Sequence, residues 1–375
     1  MKLPTTLIHS GHFQDSSGAV MPPIILSTTF ERGEDGLSFP SGYSYTRHDN
    51  PNRKALEEKL KVLEGGAEAI AFASGLTAAL AIFQSLRPGD HVLIPDDVYF
   101  GVKSILAKLY AQWQLSYTGV DMSNLKQLAA AIQPNTRLIW IETPSNPLLK
   151  ICDIEAIVSL AQSQKLITVC DNTWATPFFT RPLDWGVDIS MHSTTKYMGG
   201  HSDLLGGAVV CRENDERCAF LRNFQQIGGA VPSPFDCWLL CRSLATFAVR
   251  MPIHAANAQA LAEYLNKQSP IEKVLYPGLS SDPGHEIAQR QMLGGFGGML
   301  SVLVKGGRET ALKLSSSLKI FKHASSLGGV ESLVEHRRSI ESEDSLTPDN
   351  LLRISVGIEH VDDLIADFEQ ALKGL

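Results

Sequence analysis

From Asn52 onward the chain alternates short apolar runs with amphipathic stretches, and this alternation constrains its fold more than any other feature. KALEEKLKVLEGG predicts an amphipathic helix stopped by glycines, and AIAFASG after it predicts a short strand. LTAALAIFQSLRPGD reads as the next helix and HVLIPDD as the next strand. RLIWIETP, KLITVCDN, VDISMHS and GGAVVCR are further strands, separated by helical stretches such as SNLKQLAAAIQ and DIEAIVSLAQSQ. Strands that are apolar on both faces must be covered on both faces. Helices joining them therefore imply an α/β fold with a mostly parallel sheet. In such sheets ligands sit beyond the C-terminal ends of the strands. That rule singles out Ser74-Gly75, Asp96-Asp97, Glu142-Thr143, Asp171-Asn172 and Ser193.

The two ends of the chain have a different texture. Residues 1–45 are broken by MPP, GEDG and SFPSGYSY, so they read as an arm rather than a domain. After about residue 235 a long helical run, FDCWLLCRSLATFAVRMPIHAANAQALAEYL, is expected to be interrupted near Pro252. GGMLSVLVKGG, ETALKLSSSL, SLKIFKHA, LLRISVGIE and VDDLIADFEQAL then give the strands and helices of a smaller α+β unit. The expected partition is an arm over 1–45, an α/β domain over 46–240 and a C-terminal α+β domain over 241–375. GGFGGM at 294–299 lacks the strand and acidic partner of a dinucleotide site, so it reads as a tight turn.

Composition excludes some functions. A net charge of -7 argues against nucleic acid or an anionic membrane as the main partner. The start, MKLPTTLIHSGHF, has no apolar core of a secretory signal, and no window reaches the apolar length of a membrane span. Six cysteines without a CxxC pair read as reduced core thiols of a cytoplasmic protein, with Cys237 and Cys241 on one helical face. No metal site is expected: His9, His12 and His201 lack a third ligand at useful spacing.

The strand-end residues make a chemical set. Asp171 ends an apolar strand, where a carboxylate is costly unless a cation or donor meets it. Lys196 follows the next strand within the hydroxyl run Ser193, Thr194, Thr195. Ser74-Gly75 precedes a helix, whose first N–H groups and dipole suit a phosphate. Tyr99 offers an aromatic face to a flat ligand. Pyridoxal phosphate asks for all of these together: a lysine, an acid for its ring nitrogen, a phosphate cradle and a stacking ring.

At these residues the sequence resembles the Cys/Met-metabolism (transsulfuration) family of pyridoxal-phosphate enzymes. The matching stretches are YSYTRHDNPNR, AFASGLTA, DDVYFG, WIETPSNP, CDNTWATP, STTKYMGGHSD, GAVPSPFDCWL, LYPGL, SSLGGVESL and LLRISVGIE. The resemblance implies a fold-type I enzyme with a large, mostly parallel sheet domain and a smaller C-terminal domain. It implies that Lys196 holds the cofactor's aldehyde carbon and later shuttles protons. Asp171 would pair with the ring nitrogen, and Tyr99 would stack on the ring and assist proton transfer. Ser74, Gly75, Leu76, Ser193 and Thr195 would hold the phosphate. Tyr45 and Arg47 would reach the phosphate site of a neighbouring subunit, which makes the protein a homo-oligomer, a dimer of dimers. Arg353 would clamp the substrate α-carboxylate with the help of Ser326, and Asn146 would lie by the cofactor's hydroxyl.

Three departures bear on the reaction. Where many family members carry glutamate in an AESLGG-type motif, this chain has ASSLGG, with Ser325 in that place. Ser104 stands where many carry arginine, and Phe100 where they carry glycine. HRRSIESEDS replaces an HPASMTH-type loop, so Arg337 and Arg338 either recognise a second carboxylate or belong to a solvated loop. Loss of the glutamate removes a feature associated with γ-chemistry. The expected activity is therefore β-elimination from cystathionine, releasing homocysteine, pyruvate and ammonia, with cystathionine γ-lyase and cystathionine γ-synthase as the alternatives.

Overall fold

A computed structural model describes residues 1–13, 15–341 and 345–375. Residues 342–344 of the HRRSIESEDS loop lie outside the described residues. The strands are β1 (Glu68–Phe72), β2 (His91–Pro95), β3 (Ser116–Val120), β4 (Thr136–Glu142), β5 (Ile167–Asp171) and β6 (Ile189–His192). They continue as β7 (Gly207–Cys211), β8 (Ile271–Leu275), β9 (Met299–Val304), β10 (Lys322–His323), β11 (Leu333–His336) and β12 (Leu351–Ser355). The architecture is α/β, with a mostly parallel larger sheet and a second, smaller sheet.

The chain divides into two compact units, one made of Met1–Leu86 and Asp188–Ala248, the other of Arg87–Val187 and Val249–Leu375. In the first unit β7 runs antiparallel to both β1 and β6. Helix Pro51–Glu64 starts with Pro51 at its first position and Asn50 as N-cap, whose side chain accepts from Asn52 N–H. It packs on β1, and its Leu56, Leu60 and Leu63 are essentially without exposure. Helix Gly75–Gln84, apolar along most of its length, also packs on β1 and β7.

In the second unit β3, β2, β4 and β5 are hydrogen-bonded in that order, all parallel. Ile139, Ile141, Cys170 and Leu93 pack beneath helix Ile154–Ser163 through Ile154, Ile157 and Ala161. The small sheet of this unit has the order β10-β11-β12-β9-β8, antiparallel except for the short β10–β11 pair. Leu300, Val302, Val304, Leu352 and Ile354 form its core with Leu364 and Phe368 of helix Val361–Leu372.

Three local expectations are revised. β3 has the sequence SYTGV and a mostly solvated burial pattern, so no apolar run announces it; β2 alone recruits it. The long C-terminal helical run breaks at Ala245–Thr246, between helices Pro234–Leu244 and Phe247–Leu265, and Pro252 lies inside the second helix. The N–H groups of Ala245 and Thr246 close tight turns onto the carbonyls of Arg242 and Ser243, which ends the first helix there. SLKIFKHA contributes only the two-residue β10. GGFGGM is a turn, with positive φ at Gly294, Gly295 and Gly297. All six cysteines are free thiols, five of them buried. Among the described residues, no helix is long and apolar enough to cross a membrane.

Candidate cofactor and substrate site

The first unit contains the lysine and the small donors. β1 ends at Phe72, and Ser74 caps helix Gly75–Gln84, its Oγ accepting from Thr77 N–H at 3.1 Å. Ser74 Oγ and Thr77 Oγ1 also lie 2.8 Å apart. The hydroxyl of Ser74 therefore serves the cap, and the first amides of the helix, at Gly75 and Leu76, are the donors available to an anion. The backbone at Gly75 approaches Ser193 so closely that an added Cβ would stand 2.8 Å from Ser193 Cβ. An added Cβ at Gly207 would meet Ser74 O at 2.2 Å. These glycines let β7, the Ser193 turn and the helix start approach one another closely, as a backbone cradle for a phosphate requires.

Lys196 sits just beyond β6 in a tight turn: Lys196 N–H donates to Ser193 O at 3.2 Å, and Gly200 N–H donates to Lys196 O at 2.7 Å. Gly200 has φ of +70°, so the turn that closes behind the lysine favours glycine at that point. Thr195 anchors the turn, its Oγ1 donating to Gly206 O at 3.2 Å and accepting from Gly206 N–H at 3.0 Å. Ser193 and Lys196 are half-buried. In the arm, Thr29 and Tyr45 form an isolated antiparallel bridge, so this stretch holds a defined course. Tyr45 is 45% exposed and lies beside Arg47, which donates to Gln226 O at 2.6 Å.

The second unit places Asp171 at the end of β5, register partner of Glu142 at the end of β4. Asp171 Oδ1 accepts from Thr173 N–H at 3.1 Å, and only 9% of the residue is exposed. Glu142 Oε2 accepts from Tyr99 N–H at 3.0 Å. Burial first, and then the charge of Asp171, raise the Glu142 carboxyl well above its ordinary range. Tyr99 precedes the short helix Phe100–Ser104, its ring meeting that of Phe100 edge-on at 4.9 Å. Burial raises its phenol, while Arg337 and Arg353 pull in the opposite direction. Asp97 accepts the Ser145 hydroxyl, and burial pushes it up to about 6.

Arg353 lies on β12 and is 4% exposed. Its Nη1 donates to Asn146 Oδ1 at 3.0 Å, and its Nη2 donates to Ser326 O at 3.1 Å and Glu335 Oε2 at 2.6 Å. Burial pulls its guanidinium down from the ordinary range, and Glu335 opposes that pull. Ser326 takes part through its backbone carbonyl, held at φ of +92°, a strained setting for a residue with a side chain. Asn146 orients the arginine directly. The strand arginine that the sequence marks as a carboxylate clamp is thus fixed on three sides before any substrate arrives.

The sequence singles out Glu142 as a strand-end position without giving it a task, and gives Glu335 none. For Glu335 the signal was its place opposite Arg353 in the β11–β12 ladder, which the sequence alone does not reveal. Arg337 is 2% exposed and ion-paired, so it belongs to the interior rather than to a solvated loop. Ser325 is exposed and Ser104 half-buried.

Comparison with known proteins agrees with this chemistry. Cystathionine gamma-synthase from Mycobacterium bovis (strain ATCC BAA-935 / AF2122/97) is 48% identical over 378 residues, covering 98% of this chain and 96% of the relative. Cystathionine beta-lyase from Lactococcus lactis subsp. cremoris (strain MG1363) is 43% identical over 381 residues, covering 98% of each. The crystal structure of metB from Corynebacterium glutamicum superposes with a TM-score of 0.97 at 43% identity, covering 100% of this chain and 98% of that one. The family described as Cys/Met metabolism PLP-dependent enzyme matches residues 4–373, and a lysine turn, a glycine-lined cradle and a strand-end carboxylate are what its cofactor needs: the chain belongs to that family, with pyridoxal phosphate as its cofactor.

Proposed function

We propose that this chain cleaves the carbon–sulfur bond of cystathionine by β-elimination, yielding homocysteine, pyruvate and ammonia. The observation that carries the reading is the buried Arg353, held by Asn146, the Ser326 carbonyl and Glu335 as a fixed partner for an amino-acid carboxylate. Pyridoxal phosphate, when bound, supplies the sink for electrons released at the substrate's α-carbon.

The protein's residues then have distinct tasks. Arg353 binds the α-carboxylate and sets the orientation of the α C–H bond, with Asn146 and Ser326 keeping the guanidinium in place. The amine of Lys196 takes the α-proton and returns one to the departing thiol. The Tyr99 phenol, raised by burial, stays protonated at neutral pH and acts as a donor. Asp171 holds the proton on the ring nitrogen; Glu142 beside it has its carboxyl raised by burial and by the Asp171 charge. The amides of Gly75 and Leu76, with Ser193, hold the phosphate, while the hydroxyls of Ser74 and Thr195 fix the helix start and the lysine turn that shape its cradle.

γ-Chemistry requires a further proton removal at Cβ. Lys196 can serve there too, but the exposed Ser325 stands where many family members carry glutamate, and the loss of that feature associated with γ-chemistry favours the β-route. A second reading, cystathionine γ-synthase, is favoured by the higher identity to the mycobacterial relative. Cystathionine γ-lyase is the third. We place the protein in the cytoplasm as a dimer of dimers, with the 1–45 arm carrying Tyr45 and Arg47 towards the phosphate of a neighbouring subunit. The domains in this reading are 46–240 and 241–375.

Product analysis decides among the reactions. Purified enzyme with cystathionine should release pyruvate and homocysteine. Dominant 2-oxobutyrate and cysteine would establish γ-cleavage instead, and faster synthesis of cystathionine from cysteine and a homoserine ester would establish a synthase. Lys196→Ala should lose the visible cofactor band and all turnover; retention of both removes the basis of the reading.

A further inference from the structure

Glu335 is shared. Its Oε2 accepts from Arg353 Nη2 at 2.6 Å and from Arg337 Nη1 at 3.0 Å, so one carboxylate oxygen bridges two guanidiniums. Arg337 is held from its other side by Glu341, whose Oε1 accepts from Nε at 3.1 Å and Nη2 at 2.8 Å. The four side chains are between 3% and 10% exposed, so their charges act on one another with little screening by water. Arg337 Cζ also stands 5.6 Å from the centre of the Phe100 ring, and that ring packs edge-on against Tyr99.

We propose that Arg337 is a positioning residue that sets how strongly Arg353 binds a substrate carboxylate, acting through the Glu335 carboxylate that both arginines share. The inference rests on the reading of Arg353 as the carboxylate clamp. Three of the five N–H donors of Arg337 are committed to Glu335 and Glu341, so its own part is to hold and offset rather than to bind a second carboxylate. With Arg337 in place the cluster holds two positive and two negative charges. A carboxylate approaching Arg353 therefore meets a Glu335 whose charge is already drawn away. Without Arg337, Glu335 is left to Arg353 alone. The cluster then carries one net negative charge, and an incoming carboxylate competes with Glu335 directly. Glu341 acts in the opposite sense, since it neutralises Arg337.

The test compares two small amines on the holoenzyme, glycine and ethanolamine, which differ in the carboxylate. Binding is followed by the cofactor's absorbance. Arg337→Met should weaken glycine by about 10-fold or more while leaving ethanolamine unchanged. Arg337→Lys should keep most of the glycine affinity. Glu341→Gln alone should hold or tighten glycine, and the double variant Arg337→Met/Glu341→Gln, which restores neutrality, should recover most of the loss. Equal weakening of both amines, a double variant as weak as the single one, or a Glu341→Gln protein that loses glycine affinity overturns the proposal and leaves Arg337 a packing residue. If Arg337→Met does not fold, the Glu341→Gln and double variants decide by themselves. A wild-type holoenzyme that does not discriminate glycine from ethanolamine refutes instead the role of Arg353.

Discussion

Glu142 and Asp171 are register partners at the C-terminal ends of adjacent parallel strands, two acids side by side in a buried setting. Burial first, and then the charge of Asp171, raise the Glu142 carboxyl well above its ordinary range, so Glu142 takes up a proton more readily than a free carboxyl does.

This raised carboxyl has a pH signature. A carboxyl whose folded pKa is raised contributes its full stability below the ordinary carboxyl range and loses it as pH rises towards the raised value. Glu142→Gln, which has nothing to lose, should therefore gain melting temperature relative to wild type as pH rises from about 5 to about 8. A difference that stays flat, or that shrinks with pH, would show that Glu142 is ionised in the folded protein.

Gly75→Ala tests the phosphate cradle. The added methyl would stand 2.8 Å from Ser193 Cβ and 2.9 Å from its Oγ, so the serine turn must move off the helix start. We expect the variant to fold and to hold pyridoxal phosphate at least about 10-fold more weakly, roughly 1.4 kcal/mol. Equilibrium dialysis of the cofactor reads this directly; unchanged retention would place the phosphate elsewhere.

His254 should contribute to acid sensitivity. Its ring is buried with Nδ1 2.7 Å from Val356 O, and burial pushes it down to about 4 from 6.5. The neutral ring stabilises the fold above the unfolded value, and that contribution is lost as pH falls from 6.5 towards 4. A shift of this size corresponds to about 3 kcal/mol across the window. Urea unfolding at a series of pH values should give a shallower acid slope for His254→Gln than for wild type; identical slopes would assign the acid sensitivity to other groups.

The legibility of this protein follows the distance over which each feature is encoded. Helix Pro51–Glu64 was recognisable because its apolar spacing and glycine stop lie within one stretch, and β4 and β5 because both faces are buried. Lys196, Ser193 and Thr195 stand within four residues, and their tight turn is closed by hydrogen bonds within that same stretch and to the nearby Gly200 and Gly206. β3 was hidden because an edge strand with solvated faces carries no apolar signal, and its pairing with β2 is an event between segments.

The sequence by itself determined most of the strands and helices, the residues at the strand ends and the cofactor they serve, since these depend on local periodicity and on residue chemistry. Only the tertiary structure decided what surrounds Arg353. Asn146 is brought to it from 207 positions away, Ser326 offers a carbonyl rather than a hydroxyl, and Glu335 divides one carboxylate between Arg353 and Arg337. The physical reason is that a buried charge takes its partners from whatever the packed sheet places beside it. Register across a ladder, unlike spacing along a strand, exists only once the chain has folded.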